Sequence, residues 1–192
     1  MKAQKFSLLV VDDDENDRFF VEKAFHRLGA NYRIHALANA DEAIAYIKGD
    51  GQYADRQKYQ FPSYIITDLK MYPKDGFHLL DFIKKHPALS IIPVVMLSSS
   101  QDTDDIRHAY LLGASSFFTK PSDIASLSGL LKKVHDYWSE CEVPGVDADG
   151  YALMTNSFGK AGSRYDKPVR PADAESGNQE LAASSTSSAQ HP

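Results

Sequence analysis

Four short apolar runs in this 192-residue chain each lead into residues that can do chemistry. Leu8–Val11 runs into Asp12-Asp13-Asp14, Tyr64–Thr67 into Asp68, Val94–Leu97 into Ser98-Ser99-Ser100, and Ser116–Thr119 into Lys120-Pro121. Two carboxylates about 4 Å apart repel by roughly 4 kcal/mol at an effective dielectric of 20. Asp12, Asp13 and Asp68 can therefore share a pocket only if cations offset them. Lys120 offers one positive charge, and a divalent ion would supply the rest. Oxygen donors without a neighbouring cysteine or histidine favour Mg²⁺ over zinc. A carboxylate nucleophile, a metal, a hydroxyl and an ammonium are together the parts needed to move a phosphoryl group.

Those residues act together only if the chain brings the ends of its apolar runs to one rim, and the pattern between the runs says that it does. Ser7–Val11 reads as a buried parallel strand. Glu15–Leu28 has Phe19, Phe20, Ala24 and Leu28 near helical spacing, with Gly29 as its stop signal. Tyr32–Leu37 is a second strand. Asn39 with Glu42 three residues later starts a helix whose apolar face is Ala43, Ile44 and Ile47, ended by Gly49. A polar loop, residues 50–62, leads to the strand Tyr64–Thr67. The next helix runs from Gly76 to Lys85, closed by His86-Pro87. Val94–Leu97 is a fourth strand, and Asp102–Leu112 is a helix with acids suited to its dipole and Gly113 after it. Ser100 is a candidate cap for that helix. Ser116–Thr119 is the fifth strand, and Ile124–Glu140 the last helix, repeating Leu127, Leu130, Leu131, Val134 and Trp138. Strands alternating with helices predict an α/β fold with a parallel sheet covered on both faces. Ligands of such sheets sit beyond the carboxyl ends of the strands, where strand order reverses.

Bulk properties narrow the classes. The net charge of −5 argues against nucleic acid or an anionic membrane as partner. No apolar run approaches the ~18 residues that span a bilayer, and Leu8–Val11 is too short for a signal-peptide core. One cysteine, Cys141, excludes an intrachain disulfide and makes the cytoplasm the default compartment. After Trp138 the composition turns polar and serine-rich, with Leu153, Met154 and Phe158 as its main large apolar groups. We expect a folded domain over residues 1–140 and a disordered tail over 141–192, with a segment that folds on a partner around Tyr151–Phe158 as the alternative.

From Phe6 to Trp138 the chain resembles a response-regulator receiver domain. The matching motifs are Leu8-Leu9-Val10-Val11-Asp12-Asp13, Ile65-Ile66-Thr67-Asp68-Leu69-Lys70-Met71 with Asp75-Gly76-Phe77, Pro93-Val94-Val95-Met96-Leu97-Ser98, and Gly113-Ala114 through Phe117-Phe118-Thr119-Lys120-Pro121. Gly51-Gln52-Tyr53-Ala54 and Tyr137-Trp138-Ser139-Glu140 further resemble the small stand-alone regulators that pair with phytochrome-type histidine kinases. The resemblance implies a flavodoxin-like, doubly wound five-stranded sheet of order 2-1-3-4-5 with five helices. It makes Asp68 the phosphoacceptor, with Asp13 binding Mg²⁺ directly, Asp12 through water, and Lys70 through its backbone carbonyl. Ser98 would bond the phosphoryl oxygen, Lys120 would pair with it across a cis peptide to Pro121, and Phe117 would be an aromatic switch. The implied partners are a sensor histidine kinase and a downstream phosphotransfer or target protein.

Three positions depart from the family pattern. Met71-Tyr72-Pro73 puts the proline one residue late, Lys70 places a cation two residues past the acceptor, and Phe117 has no hydroxyl to bond. Plainer roles compete with the functional ones. Asp12–Asp14 could simply cap the first helix, Lys120 could be a solvated lysine, and Phe117 could be core. The histidines show no metal spacing. Trp138 reads as a packing anchor, with a homodimer contact as its alternative. A haloacid-dehalogenase-like phosphatase would share the aspartate, hydroxyl, lysine and Mg²⁺, but needs a second acid where Lys70 stands. A receiver-like scaffold that never takes up phosphate is the third reading. The first of these readings, a phosphoacceptor switch and not an enzyme, fits the motifs best.

Overall fold

The computed structural model describes residues 6–28, 32–86, 89–141, 145–146 and 152–153. Its centre is a five-stranded sheet of order β2-β1-β3-β4-β5. The strands are β1 (Phe6–Val11), β2 (Tyr32–Leu37), β3 (Tyr64–Thr67), β4 (Val94–Ser98) and β5 (Ser116–Thr119). All four pairings are parallel. The helices are α1 (Glu15–Arg27), α2 (Ala40–Lys48), α3 (Gly76–Lys85), α4 (Thr103–Leu111) and α5 (Ile124–Glu140). The expected strand order and helix number are both present.

Side chains alternate across a strand, and that alternation sorts the core into two layers. Leu8, Val10, Tyr64, Ile66, Val95 and Leu97 pack with Val21, Ala24 and Phe25 of α1 and Leu127, Leu131 and Val134 of α5. Leu9, Val11, Ile65, Val94 and Met96 pack with Ala43, Tyr46 and Ile47 of α2, with Leu79, Leu80 and Ile83 of α3, and with Ala109 of α4. β3 is buried on both faces because helices cover both. Trp138 stacks on Tyr64 with ring centroids 5.7 Å apart, which fits a packing anchor.

The helix starts are capped by side chains. Asp14 accepts from the N–H groups of Asn16 and Asp17, Asn39 from Glu42, Asp75 from His78, and Asp123 from Ser126. The Glu42 carboxylate reaches back to the Ala38 N–H, as the Asn39–Glu42 spacing implied. The cap of α4 is Asp102, not Ser100. Ser100 sits too early to reach the first helical N–H groups, and its hydroxyl donates to Asp105 instead.

The long connection before β3 is fastened by Arg56. Its guanidinium donates to the carbonyls of Tyr46, Ile47 and Tyr59 and lies over the Phe61 ring. Two of those carbonyls belong to the last turn of α2, where intrahelical partners run out. The expected tail lies outside the described residues except for Cys141 and two short strands, β6 (Gly145–Val146) and β7 (Ala152–Leu153), which pair antiparallel. Gly29, the expected stop for α1, also lies outside the described residues. Leu28 caps that helix.

Candidate functional site

The chain places β2 on one side of β1 and then returns to place β3 on the other, so the crevice of this sheet opens at the carboxyl ends of β1 and β3. Backbone hydrogen bonds fix what stands there. Asp12 N–H donates to Leu37 O at 3.1 Å, Asp68 N–H to Val11 O at 2.8 Å, and Lys120 N–H to Ser98 O at 2.7 Å. The ends of β1, β3, β4 and β5 are thereby held side by side, and their functional side chains meet.

Carboxylate oxygens of Asp12, Asp13 and Asp68 lie within 4.8 Å of one another. Asp12 and Asp68 are buried, at 4% and 6% exposure, whereas Asp13 is exposed. Among the described residues no cation lies within salt-bridge distance of Asp13. The Lys120 ammonium contacts Asp12 Oδ2 at 2.6 Å and lies 3.5 Å from Asp68 Oδ2. The other Asp68 oxygen accepts from the Leu69 N–H at 2.7 Å. Burial pushes the Asp12 carboxyl up to about 6, outweighing the opposing hydrogen bond from Lys120. Burial alone would lower Lys120, but hydrogen bonds to Asp12 and Asp17 and the charges of Asp12 and Asp68 hold it above the ordinary lysine range. Lys120 is therefore a cation, and one cation does not neutralise three converging carboxylates. A donor set of oxygens alone, graded from buried Asp12 and Asp68 to exposed Asp13, fits a hard divalent ion that keeps some of its waters.

Of Asp12–Asp14, only Asp14 caps α1. Asp12 turns inward, with Oδ1 accepting from the Asp14 N–H and Oδ2 pairing with Lys120. Ser98 is fully buried and its hydroxyl accepts from the Ser100 N–H at 3.3 Å. Lys70 directs its ammonium at Asp105 Oδ2 of α4, 2.7 Å away, and Asp105 also accepts from Ser100. Phe117 is half-buried against the layer of α2, α3 and α4, and its N–H donates to the Tyr110 hydroxyl.

One expectation is corrected. The Lys120–Pro121 bond is trans, and the cis bond among the described residues is Tyr72–Pro73. The two isomers of an X–Pro bond differ by only about 0.5–1 kcal/mol, so a proline in the sequence does not declare which it adopts.

Two residues of the site, Asp17 and Arg18, were not singled out by sequence, nor was the close approach of the motif residue Gly76 to the acceptor strand. Asp17, in the first turn of α1, accepts a second hydrogen bond from the Lys120 ammonium at 2.8 Å. Acids in a first turn are ordinarily read as partners of the helix dipole, which hid this one. Arg18 donates to the Asp12 carbonyl at 2.6 Å. Gly76 opens α3 so close to the acceptor strand that an added Cβ would lie 2.1 Å from the Asp68 carbonyl oxygen.

Comparisons with known proteins agree with this geometry. The family described as the response regulator receiver domain matches residues 8–132. A probable methanogenesis regulatory protein, FilR2 of Methanothrix harundinacea, is 31% identical over 136 residues, covering 69% of this chain and 83% of that protein. The phosphorylated cyanobacterial phytochrome response regulator RcpA superposes with a TM-score of 0.67 at 30% identity, covering 71% of this chain and 96% of that one. Response regulator Rcp1 of Synechocystis, solved in its Mn²⁺-bound form, gives a TM-score of 0.67 at 27% identity, covering 73% and 99%.

Proposed function

This chain belongs to the response regulator receiver domain family, a phosphoacceptor family rather than an enzyme family, and from that premise we propose that it is a single-domain response regulator of a two-component phosphorelay. A partner histidine kinase presents a phosphohistidine, and Asp68 accepts the phosphoryl group. The kinase is of the phytochrome-associated kind, a reading supported by the likeness to RcpA and Rcp1. The same likeness, which spans 96% and 99% of those chains, supports output by protein contact. The single cysteine supports a cytoplasmic setting. Among the described residues no helix is long and apolar enough to cross a membrane.

The observation that carries the reading is the convergence of three carboxylates within 4.8 Å beside an ammonium that pairs with one of them. In the transfer, an Asp68 carboxylate oxygen attacks phosphorus, the bond from phosphorus to the histidine nitrogen breaks, and the imidazole leaves with the electron pair. Asp12, Asp13, Asp68 and the Lys70 backbone carbonyl would hold Mg²⁺, which supplies positive charge to the transferring oxygens. Lys120, paired with Asp12 Oδ2, supplies a second positive charge. Ser98, whose hydroxyl oxygen accepts from the Ser100 N–H, would donate its own O–H to a phosphoryl oxygen. Ser100 bonds Asp105 of α4, which also receives Lys70. The acceptor is thus linked to α4 and, through Tyr110, to the Phe117 backbone. Two packings of that face, biased by phosphorylation, would change affinity for a target.

The test is incubation of the full chain with Mg²⁺ and radiolabelled acetyl phosphate. The wild-type chain takes up one acid-stable, base-labile acyl phosphate, and Asp68→Asn takes up none while keeping its circular dichroism spectrum. Label that persists in D68N identifies another acceptor and overturns the assignment.

A further inference from the structure

We infer that Asp17 is a positioning residue for phosphoryl uptake: it fixes the Lys120 ammonium so that its one uncommitted N–H faces Asp68. The inference rests on the phosphoacceptor reading above and concerns a residue outside the four strand ends. An ammonium has three N–H donors. Two are taken, by Asp12 Oδ2 at 2.6 Å and by Asp17 Oδ2 at 2.8 Å. The next nearest acid oxygen is Asp68 Oδ2 at 3.5 Å, beyond a good hydrogen bond. With two vertices of the tetrahedron held, the third has little freedom left.

The two anchors come from different parts of the fold. Asp12 ends β1, and Asp17 lies in α1, held by the cap that Asp14 makes to its N–H. A lysine side chain otherwise carries much rotamer freedom, which must be given up when it engages a ligand. Fixing it in advance removes that cost from the step in which the phosphoryl oxygens arrive. Lys120 is 13% exposed, so the anchored state is also shielded from competing water, whereas the Asp17 side chain is 35% exposed and its charge is screened. Geometry, rather than the charge of Asp17, is therefore what the residue contributes.

The charge-neutral variant separates the two. Asp17→Asn keeps an oxygen that accepts from Lys120, whereas Asp17→Ala keeps none. With Mg²⁺ saturating, the rate of labelling by acetyl phosphate should fall about tenfold in D17A, the worth of one charge-assisted hydrogen bond. D17N should recover most of that loss. Urea unfolding of each variant accounts for any change in the folded fraction, and a stability loss from the α1 terminus alone would leave the rate of folded protein unmoved. Equal rates in D17A and wild type overturn the inference while leaving Asp68 as acceptor. Faster uptake in both variants also overturns it, by making Asp17 a competitor for the ammonium. A wild-type chain that takes no label overturns the phosphoacceptor reading and this inference together.

Discussion

Asp13→Asn should stabilise the metal-free protein and lose to the wild type once Mg²⁺ is added. Asp13 lies within 4.8 Å of both Asp12 and Asp68. At that distance two like unit charges repel by about 0.9 kcal/mol in bulk water and about 3.5 kcal/mol at an effective dielectric of 20. Asp13 is exposed, so the figure for water governs. Asp12 adjoins Asp13 in the unfolded chain as well, so folding adds only the Asp68 neighbour, and the neutral amide would relieve about 0.9 kcal/mol. In urea this is a midpoint shift of about 0.4 M upward, for a slope of ~2 kcal/mol per molar. Mg²⁺ at a hundred times its dissociation constant stabilises the wild type by about 2.7 kcal/mol. The variant lacks one carboxylate ligand and gains little, so the order of stability inverts. The assay is urea unfolding followed by Trp138 fluorescence, in chelator and in Mg²⁺. A D13N protein no more stable than wild type in chelator would refute the repulsion argument. An equal gain from Mg²⁺ would refute Asp13 as a ligand.

Two other outcomes follow from the packing around the site. Gly76→Ala puts a methyl group 2.1 Å from the Asp68 carbonyl oxygen, and the contact is with backbone on both sides. It should cost upwards of ~2 kcal/mol and slow acetyl phosphate labelling, whereas Gly129→Ala on α5, where nothing lies within 4 Å, should be neutral or better; G76A labelling at the wild-type rate would show that α3 gives way freely. Burial lowers the pKa of His35, His86 and His135, so the unfolded chain binds their protons first. Their contribution is complete above the unfolded value near 6.5 and is lost as pH falls through it. Asp12, held at about 6 in the fold, takes up a proton in the same window and opposes the loss. In an Asp12→Asn background melting temperature should therefore drop as pH falls from 7.5 to 6, and His135→Gln should flatten the drop, whereas a melting temperature constant in that background would contradict the shifts.

Legibility in the sequence tracked how local the deciding interaction is. Strand ends and helix bounds were readable because they are set within a few residues. Asp75-Gly76 starts α3 and His86 caps its end, and Asp123 starts α5, so Gly76–Lys85 and Ile124–Glu140 came out at their observed limits. The α4 cap shows the resolution of that kind of reading. Ser100 and Asp102 both have capping side chains, and only the path of the backbone decides which oxygen reaches the first free N–H groups. The acidic cluster was readable for a different reason. The sheet order brings the ends of β1 and β3 together whatever the loops do, so two short apolar runs ending in aspartate were enough to place Asp12, Asp13 and Asp68 in one crevice.

What stayed hidden depended on where long side chains travel. Asp17 and Lys120 are 103 residues apart and touch through the tip of a flexible lysine. Arg56 crosses a loop to reach carbonyls of α2, and Lys70 turns away from the acceptor to Asp105, a direction its place two residues past Asp68 does not reveal. These side chains carry a charge on a long stem, so their partners are chosen by the global fold and by the balance of burial against pairing. Lys120 is the sharpest instance. The sequence supplied its charge and its strand end, but its pairing with Asp17 exists only because α1 begins immediately after β1 and packs on the face that β5 shares. A receiver with the same strand-end residues and no acid in that helical turn would hold its lysine by Asp12 alone, and the difference between the two is a rate, not a fold.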